Sequence, residues 1–195
     1  MKLRLFLLAI SIFVIFVLPV QAQTYSHSQV EARQASRIAE EIRSESAVLR
    51  DIRSASDALD RIKILAMDVR DDADHLDSYL GNRFSLESHA ARLTQIKEDI
   101  NDLVPDLETL EETEAALLPR QRLAMHHIFP DALVLSRNAE NAIEYFNENP
   151  NRLWGDEYRE AISTMYERAD RIVLAAKMAE SLLTVDKYLD RITPN

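Results

Sequence analysis

Apolar residues recur at steps of three and four along most of this chain. From Ile52 the series Ile52, Ala55, Leu59, Ile62, Ala66, Val69, Ala73, Leu76, Leu80 lays one stripe down one face, the pattern of an amphipathic helix. No Gly or Pro interrupts between Tyr25 and Leu80, and a single helix of that extent is about 80 Å long at 1.5 Å per residue. Its early part, Gln29 to Val48, has a thinner stripe of Ala35, Ile38 and Ile42, then Ser46. That portion is expected to overhang the bundle, to break near Ser44, or to pair with another chain. Leu80-Gly81-Asn82 is the stop, with Gly81 able to take a left-handed conformation past the last turn.

A second helix is expected after Ser85 as N-cap, with Glu87 near its positive end and the stripe Leu86, Ala90, Leu93, Ile96, Ile100, Leu103, Leu107, Leu110. Pro105 falls inside it and should kink it, because proline lacks a donor and crowds the preceding turn. The chain is expected to turn around Ala115 to Pro119, and Pro119 suits the first turn of a third helix. That helix carries Met125, Ile128, Ala132, Leu135, Ala139, Ala142 and Phe146, with Pro130 as a candidate bend. Asn147 to Gly155 reads as a loop. The fourth helix has the most regular stripe: Tyr158, Ile162, Met165, Ala169, Ile172, Ala176, Ala179, Leu183. Its mean step of about 3.5 is that of a left-handed coiled-coil seam.

These segments predict an all-α chain with helices at about 28–80, 86–114, 119–148 and 156–191, folded as an antiparallel up-down-up-down four-helix bundle with coiled-coil-like packing. The alternative joins the second and third helices through Pro119 into an elongated three-helix bundle. The aromatics separate the two. Tyr79 and Phe84 flank the first turn; Tyr145, Phe146, Trp154 and Tyr158 flank the last. In the four-helix arrangement both turns lie at the same end, and the six rings gather into one cap, read as a hydrophobic plug rather than a ligand pocket.

Only two glycines, Gly81 and Gly155, punctuate the chain, too few for a set of strands joined by tight turns. The N-terminus has a different logic. Lys2 and Arg4 precede an apolar run from Leu5 to Leu18, Pro19 ends it, and Val20-Gln21-Ala22 offers small residues for cleavage. Residues 1–22 therefore read as a signal peptide and residues 23–195 as one helical-bundle domain, exported and periplasmic or secreted. The run is short for a bilayer-spanning anchor, which needs about 20 apolar residues. No membrane insertion is expected after cleavage.

The chain has no Cys, which excludes disulfides, thiol chemistry, zinc–thiolate sites and Cys-ligated clusters. Without Lys2 and Arg4, 33 acidic residues face 21 basic ones, a formal charge of −12. Such a surface repels nucleic acid and anionic lipid, and neither is expected as a partner. Acid concentrates in one stretch: Glu98, Asp99, Asp102, Asp106, Glu108, Glu111, Glu112 and Glu114, with no Lys or Arg among them. The plain reading of these carboxylates is a solvated helix face; the sharper reading is a contact surface for a basic partner or for divalent cations.

Catalytic motifs are missing. There is no Gly-x-Ser-x-Gly, no phosphate loop and no EF-hand loop. A di-iron bundle needs paired Glu-x-x-His motifs, and Asp72-Ala73-Asp74-His75 is a lone approximation. The histidines His27, His75, His89, His126 and His127 flank the stripes rather than join them, while Met67, Met125, Met165 and Met178 read as core filler. The candidate metal ligands are Asp71, Asp72 and His75, which share a helix face; no cofactor is expected. The Leu-Thr-x-x-Gln repeat of small helical periplasmic chaperones is also missing, since Leu93-Thr94 is followed by Gln95-Ile96-Lys97. The expectation is a non-enzymatic protein-interaction or structural module of the cell envelope, acting on an unknown protein partner or by self-association. The alternatives are a small-ligand, haem or cation-binding bundle and a periplasmic chaperone-like protein.

Overall fold

The computed structural model describes residues 27–81, 86–150, 152–153 and 155–192, and the expected signal segment lies outside them. Every element among the described residues is helical. Helix α1 runs His27–Gly81, α2 Leu86–Thr113, α3 Pro119–Met125, α4 Ile128–Glu148 and α5 Asp156–Ile192, with a 3-10 turn at Glu114–Ala116. No described helix is long and apolar enough to cross a membrane.

The chain divides into two units, Met1–Ile42 and Arg43–Asn195. In the first, the described residues belong to the start of α1, and residues 31–42 are all exposed. Of the three expectations for the thin stripe, a break near Ser44 is not what occurs, because α1 is one uninterrupted helix. No helix-breaking residue lies in it, and Ser46 turns its hydroxyl back onto the Arg43 carbonyl at 2.8 Å, a bond that satisfies the side chain without ending the helix.

The second unit is the bundle, and its ion pairs fix its topology. Arg61 meets Asp106 at 2.6 Å and Asp72 meets Arg92, so α1 and α2 run antiparallel. Lys63 meets Glu180 at 2.7 Å and Arg70 meets Asp170 at 3.4 Å, which sets α1 against α5 in the same antiparallel sense. Asp131 and Arg168, at 2.8 Å, together with the stacked rings of Tyr145 and Tyr158 at 5.7 Å, do the same for α4 and α5. Helix α2 also packs on α4. This is the up-down-up-down circuit, with α3 and α4 together as the third arm.

Burial follows the stripes closely. Ala55, Leu59, Ile62, Ala66, Val69, Ala73 and Leu76 are fully buried on α1, and Tyr158, Ile162, Met165, Ala169, Ile172, Ala176 and Ala179 are buried on α5. The alanines leave room for the helices to approach, and the buried stripes supply most of the stabilisation at roughly 25 cal/mol per Å² of apolar surface. On α2 the buried face is rotated from the expected stripe. Leu86 is exposed and His89 is buried in its place.

The elongated three-helix alternative fails at Leu117 and Leu118. Both are extended, with ψ of 149° and 153°, and Leu118, the residue before Pro119, is held out of the helical region by the proline ring. Pro119 then opens α3, and Gln121 reaches back to accept the Leu118 N–H at 2.8 Å. The expected third helix at 119–148 is divided at His126–His127 rather than bent at Pro130. Pro130 has no N–H for the His126 carbonyl and its ring crowds that group, so the chain restarts and Pro130 falls in the first turn of α4, where a missing donor is harmless. Pro105, in contrast, is carried inside α2 without a break.

Candidate functional site

One end of the bundle gathers aromatic rings. Tyr79 from α1 meets the imidazole of His89 on α2 edge-on, with centroids 5.6 Å apart. His89 in turn lies 6.0 Å from Tyr158 of α5, which stacks on Tyr145 of α4 at 5.7 Å. All four bundle arms thus meet at this end, as the single cap requires. Phe146 is partly buried against the core, whereas Phe84 and Trp154 lie outside the described residues.

His89 is the surprise of this cluster. The sequence places it beside the stripe, yet only 2% of its surface is exposed. Its Nδ1 is 3.2 Å from the Tyr158 hydroxyl, which can donate to the unprotonated nitrogen. Burial lowers the His89 pKa from its ordinary value and holds the ring neutral. Burial likewise pushes the Tyr158 phenol upward, so it stays a donor. The Tyr145 hydroxyl donates to the Arg152 carbonyl at 3.1 Å. Gly155 lies directly beneath it: a Cβ there would come within 1.9 Å of that oxygen, so the close approach requires glycine.

The eight acidic positions of 98–114 do not form one surface. Glu98, Asp102, Glu108, Glu111 and Glu112 are exposed, and Glu114 is half-buried with its carboxylate 3.1 Å from His126 Nε2. Asp99 and Asp106 are buried, a correction to the solvated face. They lie on the side of α2 that meets α1, where residues 92, 99, 106 and 113 recur at heptad spacing beside the apolar line Ile96, Leu103, Leu110. Asp106 accepts from Arg61 Nε and Nη2 at 2.8 and 2.6 Å.

The three candidate metal ligands are dispersed in role. Asp71 pairs with Arg70 at 2.9 Å, and Asp72 is buried and bonded to Arg92. His75 Nδ1 is 3.9 Å from the Asp72 carboxylate, beyond hydrogen-bond distance. Among the described residues, no group of three or more His, Asp or Glu is assembled to hold a metal ion. Of the methionines, Met125 and Met165 are buried and Met178 is exposed.

Two grooves flank α4. One of about 560 Å³ lies between α2 and α4, floored by Ile100, Ala139 and Ile143 and rimmed by Lys97, Glu140 and Glu144. The other, about 450 Å³, lies between α4 and α5 among Asn138, Asn141, Glu144, Glu157 and Glu160. On the α4 side of the first groove the small side chains Ser136 and Ala139 face Ile100 and Asn101 of α2. Compared with known proteins, the chain matches no family model, no curated protein and no solved structure. The functional reading therefore rests on its own residues.

Proposed function

We propose that this chain is an exported, non-catalytic helical-bundle module that works by binding another protein or a second copy of itself. The observation that carries the reading is the start of α1. Residues 31–42 remain helical with every side chain exposed, and Ile38 and Ile42, one turn apart, are 49% and 60% exposed. A helix of this length without packing is marginal in water, and a paired apolar ridge on it is what a partner helix would cover. The exposed carboxylates Glu98, Asp102, Glu108, Glu111 and Glu112 on α2 favour a basic partner by steering. Export rests on the N-terminal pattern of Lys2, Arg4, the run Leu5 to Leu18 and Ala22.

The test compares the mature protein with an Ile38→Asp/Ile42→Asp variant by light scattering and by capture from an envelope extract. The reading expects the assembly, or the captured protein, to be lost in the variant while the circular dichroism is retained. Equal mass and equal capture would remove it. N-terminal sequencing of the product should begin at Gln23; a retained Met1 would contradict the export reading.

A further inference from the structure

The seam between α1 and α2 buries three carboxylates, Asp72, Asp99 and Asp106, each only 6% exposed. Two are compensated. Asp72 has Arg92, and Asp106 has Arg61 on both Nε and Nη2. Asp99 lies between them on α2, seven residues from Arg92 and seven from Asp106, and has no cation. Its Oδ1 accepts from Gln95 Nε2 at 2.9 Å. Its Oδ2 is shut off from solvent and has no hydrogen-bond partner. The charged groups acting on it are Asp68 and Asp72 from α1 and Asp102 from its own helix, all acidic. The guanidiniums of Arg92 and Arg61 are committed to Asp72 and Asp106.

We propose that Asp99 makes the α1–α2 seam an acid-tightened joint, weakest when its carboxylate is ionised and firmer when the group takes up a proton. An ionised carboxylate with a bare buried oxygen is among the costliest groups a helix interface can hold, and the neutral acid is far cheaper to bury. Seam geometry alone places it there: a polar heptad line must face α1, and this position received no arginine. Burial first, and then the three neighbouring carboxylates, raise its pKa from the ordinary 3.8, with the Gln95 bond opposing. The sign follows. Above the raised value Asp99 is ionised in folded and unfolded chains alike, and the penalty is complete. As pH falls through that value toward 3.8 the folded state binds the proton first, and stability rises. In an exported protein, whose surroundings change pH more than the cytosol, such a joint would grip α2 against α1 on acidification.

The experiment is urea unfolding of the mature protein, Asp99→Asn and the exposed control Glu111→Gln, from pH 8 to pH 4.5. Asn keeps the shape and cannot ionise. At pH 8 the unfolding constant of Asp99→Asn should fall about tenfold or more below that of the parent, the cost of a buried carboxylate oxygen left without a partner. The gap should hold above the raised value and narrow as pH falls through it, while Glu111→Gln follows the parent throughout. Equal or lower stability of Asp99→Asn at pH 8, or a gap independent of pH, would overturn the proposal. Should the variant fail to fold, the ¹³Cγ titration of Asp99 in the unaltered protein decides: a midpoint at or below 3.8 overturns it, and one above 3.8 upholds it.

Discussion

Ile62 and Ile42 lie on the same helix and differ almost entirely in environment: Ile62 is fully buried and Ile42 is 60% exposed. Replacing each by Ala removes the same atoms. At Ile62 the loss combines the transfer term with a cavity among Leu59, Ala66 and the facing helices, and costs about 2–5 kcal/mol. In a bundle of this size each kcal/mol moves Tm by about 2–4 °C, so a mid-range loss of about 3.5 kcal/mol lowers Tm by about 7–14 °C. At Ile42 little surface is returned to water, and the better helix propensity of Ala offsets part of it. The change should stay within about 0.5 kcal/mol, or about 2 °C. Calorimetry of the two variants at dilute protein concentration measures both. Comparable losses at the two positions would refute the division between a packed stripe and an exposed helix start. If Ile42→Ala is silent when dilute but destabilising at high concentration, self-association is covering that ridge.

Three further outcomes follow from the aromatic end. Tyr158→Phe strips the hydroxyl from His89 Nδ1 and should cost about 1–3 kcal/mol in urea unfolding; no change would mean that the two groups do not share a bond. Because burial holds the His89 pKa below 6.5, the unfolded chain binds its proton first, and stability should fall as pH drops below 6.5, at most about 1.4 kcal/mol per pH unit. A His89→Phe variant should lack that component of the slope, read by parallel unfolding at pH 7 and 5.5. Gly155→Ala should displace Tyr145 from the Arg152 carbonyl and cost about 1–3 kcal/mol, a loss that Tyr145→Leu in the same background would partly relieve.

The fold was legible because burial in a bundle is periodic. Seven successive stripe positions from Ala55 to Leu76 are fully buried as spaced, and the stripe of α5 behaves in the same way. Turns signalled by proline were also legible, since Pro119 acts through its own ring and the residue before it. Pro130 acts one turn away from its own position: the break falls at the carbonyl it cannot serve, His126, not at the proline. Polar residues were the least legible. His89, Asp99 and Asp106 are buried because they share a helix face with Ile96, Leu103 and Leu110, and a stripe defined by apolar residues alone passes over them. Heptad spacing of 92, 99, 106 and 113 carried the signal. Whether a carboxylate on that line meets an arginine depends on the register of α1, which local sequence does not encode. That is why Asp72, Asp99 and Asp106 could not be sorted into paired and unpaired.

The arrangement of the four arms is tested most directly by nuclear Overhauser contacts among four rings. The up-down-up-down bundle predicts cross-peaks from His89 to both Tyr79 and Tyr158, and from Tyr158 to Tyr145. A spectrum in which His89 sees Tyr79 but neither Tyr158 nor any other proton of α5 would contradict it.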